Sequence, residues 1–169
     1  YPGTWRLEGG AKTKGNIIDE EYKEGIYVGY RWADKEKQRP VFAFGHGLSY
    51  TQFAISKLRA DKTAMTATDS ITFTVQVKNV GQRAGSETVQ LYVHDVKASV
   101  DRPLKELKGF CKVSLQPGES KDVSITLGKD ALSFYDETSA AWKAEAGQFE
   151  AWVGNASDNL KLKKTFELK

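Results

Sequence analysis

Cysteine is almost absent from this 169-residue sequence. Cys111 stands alone, so no disulfide within the chain can staple the fold, and packing has to hold it. Histidine is nearly as scarce. His46 and His94 are too few and too far apart for a zinc site, and a cysteine nucleophile would lack an activating base. Cys111 sits in the apolar run Phe110-Cys111-Lys112-Val113 and reads as a small buried residue. Long hydrophobic runs are missing as well. None approaches the roughly 18 residues a membrane-spanning helix needs. The opening Tyr1-Pro2-Gly3-Thr4-Trp5 has neither the charged start nor the greasy middle of an export signal, so the chain is expected to be cut from something longer. No charge of one sign dominates: 25 basic against 22 acidic residues leave +3. Basic and acidic residues interleave, as in Lys57, Arg59, Asp61 and Lys62, which describes a solvated surface and excludes a nucleic-acid stripe. Gly45-x-Gly47 lacks the third glycine and the strand-to-helix setting of a dinucleotide loop, so no cofactor is expected.

What the sequence does have changes character near residue 50. Up to Tyr50 there is no sustained periodicity, glycine recurs, and aromatics are dense, with Tyr22, Tyr27, Tyr30, Trp32, Phe42, Phe44 and Tyr50 among them. Short irregular elements with packed aromatics fit this better than a free-standing domain, with a weak helical stretch around Ile18 to Lys23. From Phe53 the period becomes 2. Ile71, Phe73, Val75 and Val77 alternate with Thr72, Thr74, Gln76 and Lys78, giving one buried and one wet face. Val89, Leu91 and Val93 repeat this against Gln90, Tyr92 and His94, and so do the runs 123–127 and 149–153. Phe53 to Leu58, Leu107 to Leu115 and Leu160 to Phe166 complete about seven strands. Ala131 to Tyr135 reads as one helical turn or a bulge. Gln116-Pro117-Gly118-Glu119 sets a tight turn, Asn79-Val80-Gly81 another, and Gly154 to Asp158 is a polar loop. No stretch carries a full amphipathic helix. The expectation is an all-β, immunoglobulin-like two-sheet sandwich over 53–169, preceded by an irregular segment over 1–52.

Two stretches of that segment carry a resemblance. Glu24-Gly25-Ile26-Tyr27-Val28-Gly29-Tyr30-Arg31-Trp32 and Pro40-Val41-Phe42-Ala43-Phe44-Gly45-His46-Gly47-Leu48-Ser49-Tyr50-Thr51 resemble consecutive motifs of family 3 glycoside hydrolases. The remainder resembles their fibronectin type III-like C-terminal domain, through Val77-Lys78-Asn79-Val80-Gly81, Val89-Gln90-Leu91-Tyr92-Val93, Arg102-Pro103-Leu104-Lys105-Glu106-Leu107-Lys108-Gly109-Phe110 and Leu115-Gln116-Pro117-Gly118-Glu119. Ala33, Ala43 and Ala146 depart from the common pattern.

The resemblance implies a fragment whose residues 1–52 are the tail of a preceding α/β domain plus a connector. It also implies a parent that cleaves β-glucosides or β-xylosides with two carboxylates, in a periplasmic or secreted setting. Both carboxylates would lie upstream of Tyr1, so no catalytic residue is assigned here. Asp19, Glu20 and Glu21, and Asp136 with Glu137, read as solvated surface. Trp32 and His46 are candidates for the rim of the parent's sugar site, His46 alternatively fixing a tight crossover by hydrogen bonds. Arg31 is expected to stack on Tyr30 and Trp32 or to pair with Asp34 or Glu36. Arg102 and Lys105, on a charged segment set by Pro103, are candidates for docking on the parent's other domains, with a homodimer contact as a further option. A carbohydrate-binding module with Trp142 and Trp152 as platform, and an adhesion-type sandwich, are the alternatives.

Overall fold

The computed structural model describes residues 22–169. The acidic run 19–21 and most of the expected helical stretch at 18–23 lie outside them. Ten strands follow one short helix, α1 (Tyr30–Lys35): β1 (Phe53–Ala60), β2 (Ala64–Met65), β3 (Ser70–Asn79), β4 (Gly85–Asp95), β5 (Glu106–Leu115), β6 (Ser120–Gly128), β7 (Phe134–Asp136), β8 (Ala141–Lys143), β9 (Gly147–Gly154) and β10 (Leu162–Leu168). The seven longer strands are the seven the alternation marks. β2, β7 and β8 have two or three residues each, too few to carry a period. The stretch expected as a turn or bulge is a 3-10 turn, Lys129–Leu132, leading into β7.

Two sheets face each other. One has the order β1-β3-β6, the other β2-β10-β9-β4-β5, and β7-β8 is a separate hairpin. All pairings are antiparallel except β10 with β2. The alternation in β3 is the reason the sheets stack: Ile71, Phe73, Val75 and Val77 are buried, while the intervening residues stay half open. They meet Val89, Leu91 and Val93 of β4 and Phe149, Ala151 and Val153 of β9 in one core. Phe166 closes it, 5.3 Å from Phe73 and 5.7 Å from Phe149. Burying one such ring or branched side chain stabilises by roughly 1.5–3 kcal/mol, so this continuous layer replaces the missing disulfide.

Turn chemistry sets the register. Gly118 sits at φ +77° after Pro117, and the Glu119 amide closes the turn onto the Gln116 carbonyl at 3.0 Å. Asn79, at the end of β3, is fully buried with all four amide hydrogen-bonding sites used. Its Oδ1 accepts from Thr51 Oγ1 at 2.7 Å and Gly81 N at 3.0 Å, and its Nδ2 donates to the carbonyls of Arg83 and Leu115. One side chain thus ties the entry to β1, the β3–β4 turn and the end of β5.

Two readings are corrected. Gln90 and Tyr92 do not lie on a wet face of β4; they are 5% and 0% exposed. The segment before β1 covers them: Tyr30 meets Tyr92 edge-on at 5.5 Å, and Gly45 lies against the Gln90 amide. Cys111 is half-exposed rather than buried.

Candidate functional site

The segment 22–52 packs on the outer face of the five-stranded sheet, beside the loop between β4 and β5. Gly29, at φ +64°, precedes α1, a helix short enough to turn three kinds of side chain onto the sandwich. Asp34 pairs with Lys105, whose side chain is only 5% exposed. Arg31 Nη2 reaches Glu106 Oε1 at 3.2 Å, and the Leu107 amide donates to Tyr30 Oη at 2.8 Å. Upstream of the helix, Tyr27 Oη donates to Asp101, and Lys35 lies 3.6 Å over the Tyr27 ring. Burial and Asp101 push the Tyr27 phenol up to about 12.

Glu106 is the hub of the charges. It also receives Arg102 Nη2 at 2.6 Å and Lys108 Nζ at 3.5 Å. Burial alone would raise its carboxyl, but Lys108, Arg102 and Arg31 outweigh this and hold it below the usual carboxylate range. Burial lowers Lys108, with Glu106 opposing that shift. Because the Glu106 carboxyl titrates lower when folded than unfolded, its contribution is full above the unfolded carboxyl range and is lost as pH falls through the folded value. Glu106→Gln is expected to cost about 2 kcal/mol at pH 7, the worth of a hydrogen bond to charge, and to flatten the fall in stability towards pH 4. Urea unfolding of both proteins across that pH range measures it.

The docking candidates Arg102 and Lys105 both point inward. Arg102 is 7% exposed, bound to Asp95 Oδ2 at 3.1 Å, to the Leu132 carbonyl at 3.0 Å and to Glu106. Lys105 crosses to the segment ahead of the sandwich. Arg31 is corrected too: its ionic partner is Glu106, 75 positions away, not Asp34 or Glu36. The rim candidates lie on that same segment. Trp32 lines an open cleft of about 880 Å³ with Tyr30, Phe42, Phe44, Arg39 and Asp158. His46 is exposed, its ring 5.0 Å from that of Phe42 and its amide closing a turn onto the Ala43 carbonyl. Asp34, on the cleft wall, is occupied by Lys105. Among the described residues no cluster of three or more His, Cys, Asp or Glu could hold a metal ion.

Along 41–50 the outward side is apolar. Val41 is 90% exposed, Phe42 70%, Leu48 96% and Tyr50 92%. Single exposed apolar residues are ordinary, but a run of large ones on one short segment marks a contact surface. The tryptophans of the binding-module alternative are apart. Trp142 is exposed on the β7–β8 hairpin against Tyr135. Trp152 is half-buried on β9, with Lys163 Nζ 3.7 Å over its ring and its Nε1 donating to Glu150. They belong to different sheets. His94, expected exposed, is half-buried with Nδ1 2.7 Å from the Leu104 carbonyl.

Comparison with known families places residues 87–157 on the model of the fibronectin type III-like domain. The sandwich is a fibronectin type III-like domain. The chain carrying it is 50% identical over 145 residues to thermostable β-glucosidase B of Acetivibrio thermocellus, covering 86% of this chain and 19% of that protein. It is 46% identical to β-glucosidase BoGH3A of Bacteroides ovatus over 90% of this chain and 20% of the relative. Among solved structures, the GH3 β-glucosidase of Bifidobacterium adolescentis matches 92% of this chain and 22% of its own, at 36% identity and a TM-score of 0.82. The chain therefore spans about a fifth of the length of these relatives. It matches the C-terminal region of family 3 β-glucosidases. No described helix is long and apolar enough to cross a membrane. The signal that could have exposed the buried face of the domain was Tyr92 itself: with Leu91 and Val93 it makes three large apolar-bodied residues in a row, more than a one-sided strand needs.

Proposed function

We propose that this chain is a non-catalytic C-terminal accessory region of a family 3 glycoside hydrolase, which packs on and stabilises the catalytic domains of the same polypeptide. The observation that carries this is the exposed apolar run 41–50, immediately ahead of the fibronectin type III-like domain and fixed to it. A surface of that kind gains by burial against another domain, and the relatives have about four-fifths of their length outside the matched part. The loop carrying Arg102 and Lys105 acts through the segment it grips: Lys105 holds Asp34, and Arg102 orders Glu106 for Arg31. On this reading the parent hydrolyses β-glucosides or β-xylosides with two upstream carboxylates, in the periplasm or the medium, and Trp32 and His46 lie towards its sugar site.

The test compares this chain with the full-length enzyme. The chain alone should not turn over nitrophenyl β-glucoside. Leu48→Ser and Phe42→Ser should leave its melting temperature unchanged, because both side chains are largely in water. In the full-length enzyme each should remove about 2 kcal/mol, the worth of one buried apolar side chain. Turnover by the chain, or a full-length enzyme indifferent to both substitutions, would refute the proposal.

A further inference from the structure

The outward face of the five-stranded sheet is built to be covered. Gln90 and Tyr92 point away from the core of the sandwich yet are as buried as the residues inside it. Tyr92 Oη donates to Gln90 Oε1 at 2.6 Å, and Gln90 Nε2 donates to the Asn155 carbonyl at 2.8 Å. Burying such groups is unfavourable unless they are paired, and here the pairs form under residues of the preceding segment. Tyr30 packs edge-on to Tyr92, and the Ser157 amide donates to the Phe44 carbonyl at 2.8 Å. Gly45 lies so close that a Cβ would fall 2.0 Å from Gln90 Nε2, at a φ of +85° that favours glycine in any case. Lys105 is the second observation. Lysine is almost never fully buried without a partner, and its partner Asp34 is on the segment, not on the sandwich. Thr51, at the segment's far end, is bonded to Asn79.

We infer that residues 27–52 are a strap that folds as part of the fibronectin type III-like domain, latched by Lys105 to Asp34, so that the boundary of the folding unit lies ahead of Tyr27 rather than at residue 53. The strap gives the apolar run 41–50 a fixed orientation instead of leaving it on a loose connector. This stands on contacts within the chain and does not rest on the accessory reading.

Hydrogen exchange on the complete 169-residue chain tests it. Three amides report on the strap: Leu107, bonded to Tyr30 Oη; Ser157, bonded to the Phe44 carbonyl; and Gln38, bonded to the Ala33 carbonyl. Val75 and Val123, paired in the other sheet, report on the core. In the wild type the strap amides should be protected at least a hundredfold over an unstructured peptide. Lys105→Met keeps the stem and removes the charge, and should speed the strap amides at least tenfold with the core amides unmoved. Asp34→Asn reaches the same latch from the strap side and should do likewise, even if Lys105→Met folds poorly. The two together should add little to either alone. Strap amides that exchange freely in the wild type would overturn the inference, as would variants that speed strap and core alike. Neither result bears on whether the full-length enzyme is indifferent to Leu48→Ser, so the two proposals fail separately.

Discussion

Asn79→Ala is expected to destabilise the chain by about 4 kcal/mol, because four partners lose their hydrogen bonds to one fully buried side chain at once and a cavity opens. For a domain of this size that corresponds to a fall in melting temperature of roughly 12 °C. The four partners come from three chain segments, so the loss is felt as a loosened end of the sandwich and not as a single frayed turn. Asn79→Asp separates hydrogen bonding from volume. It keeps the shape but sets a carboxylate oxygen against the Arg83 and Leu115 carbonyls. At pH 7 it should be no better than alanine, and relative to wild type it should recover as acid restores a donor. Calorimetry of the three proteins at pH 7 and in acid decides this. A loss under about 1 kcal/mol for alanine would show that water takes over the orphaned groups.

Gly154→Ala should be at least as damaging, for a steric reason. Gly154 ends β9, and the loop after it folds back so tightly that a Cβ would lie 1.8 Å from the Asn159 carbonyl oxygen and 3.0 Å from Leu160 Cα. Both obstacles are backbone, which cannot rotate away as a side-chain tip can. Relief requires moving the loop 155–161, and that loop holds Gln90 through the Asn155 carbonyl and the strap through the Ser157 amide. A loss above roughly 4 kcal/mol, or failure to accumulate as folded protein, is expected, beyond the ordinary range for overpacking. Gly147→Ala is the control. It opens the same strand with nothing within 4 Å of the added carbon and should stay within about 0.5 kcal/mol of wild type in urea unfolding.

The two sites differ in how far the sequence announced them. Asn79-Val80-Gly81 reads as a turn, and it is one, but nothing local says that the Asn79 amide reaches Thr51 and Leu115. Gly154 opens a polar loop in the sequence. That its neighbour's carbonyl fills the space of a side chain follows only from the path of the loop. The motifs mark Trp32 and His46, and the structure sets both on the segment packed against the outer face of β4. Nearness along the chain suggests Asp34 as a partner for Arg31, whereas both residues have their partners more than 70 positions away.

The alternation of apolar and polar residues, by itself, determined the seven main strands, the sandwich and most of its core. A strand has two faces, and a period of 2 records directly which one is dry. The turn residues fixed where the strands end, because Pro117 and Gly118 restrict dihedral angles on the spot. Only the tertiary structure decided what covers the second face of β4, with Tyr30 and Gly45 lying on it, and that Lys105 has its partner in α1. Those contacts join side chains far apart along the chain, and complementary charge or a buried hydroxyl leaves no periodic trace by which its partner could be picked out.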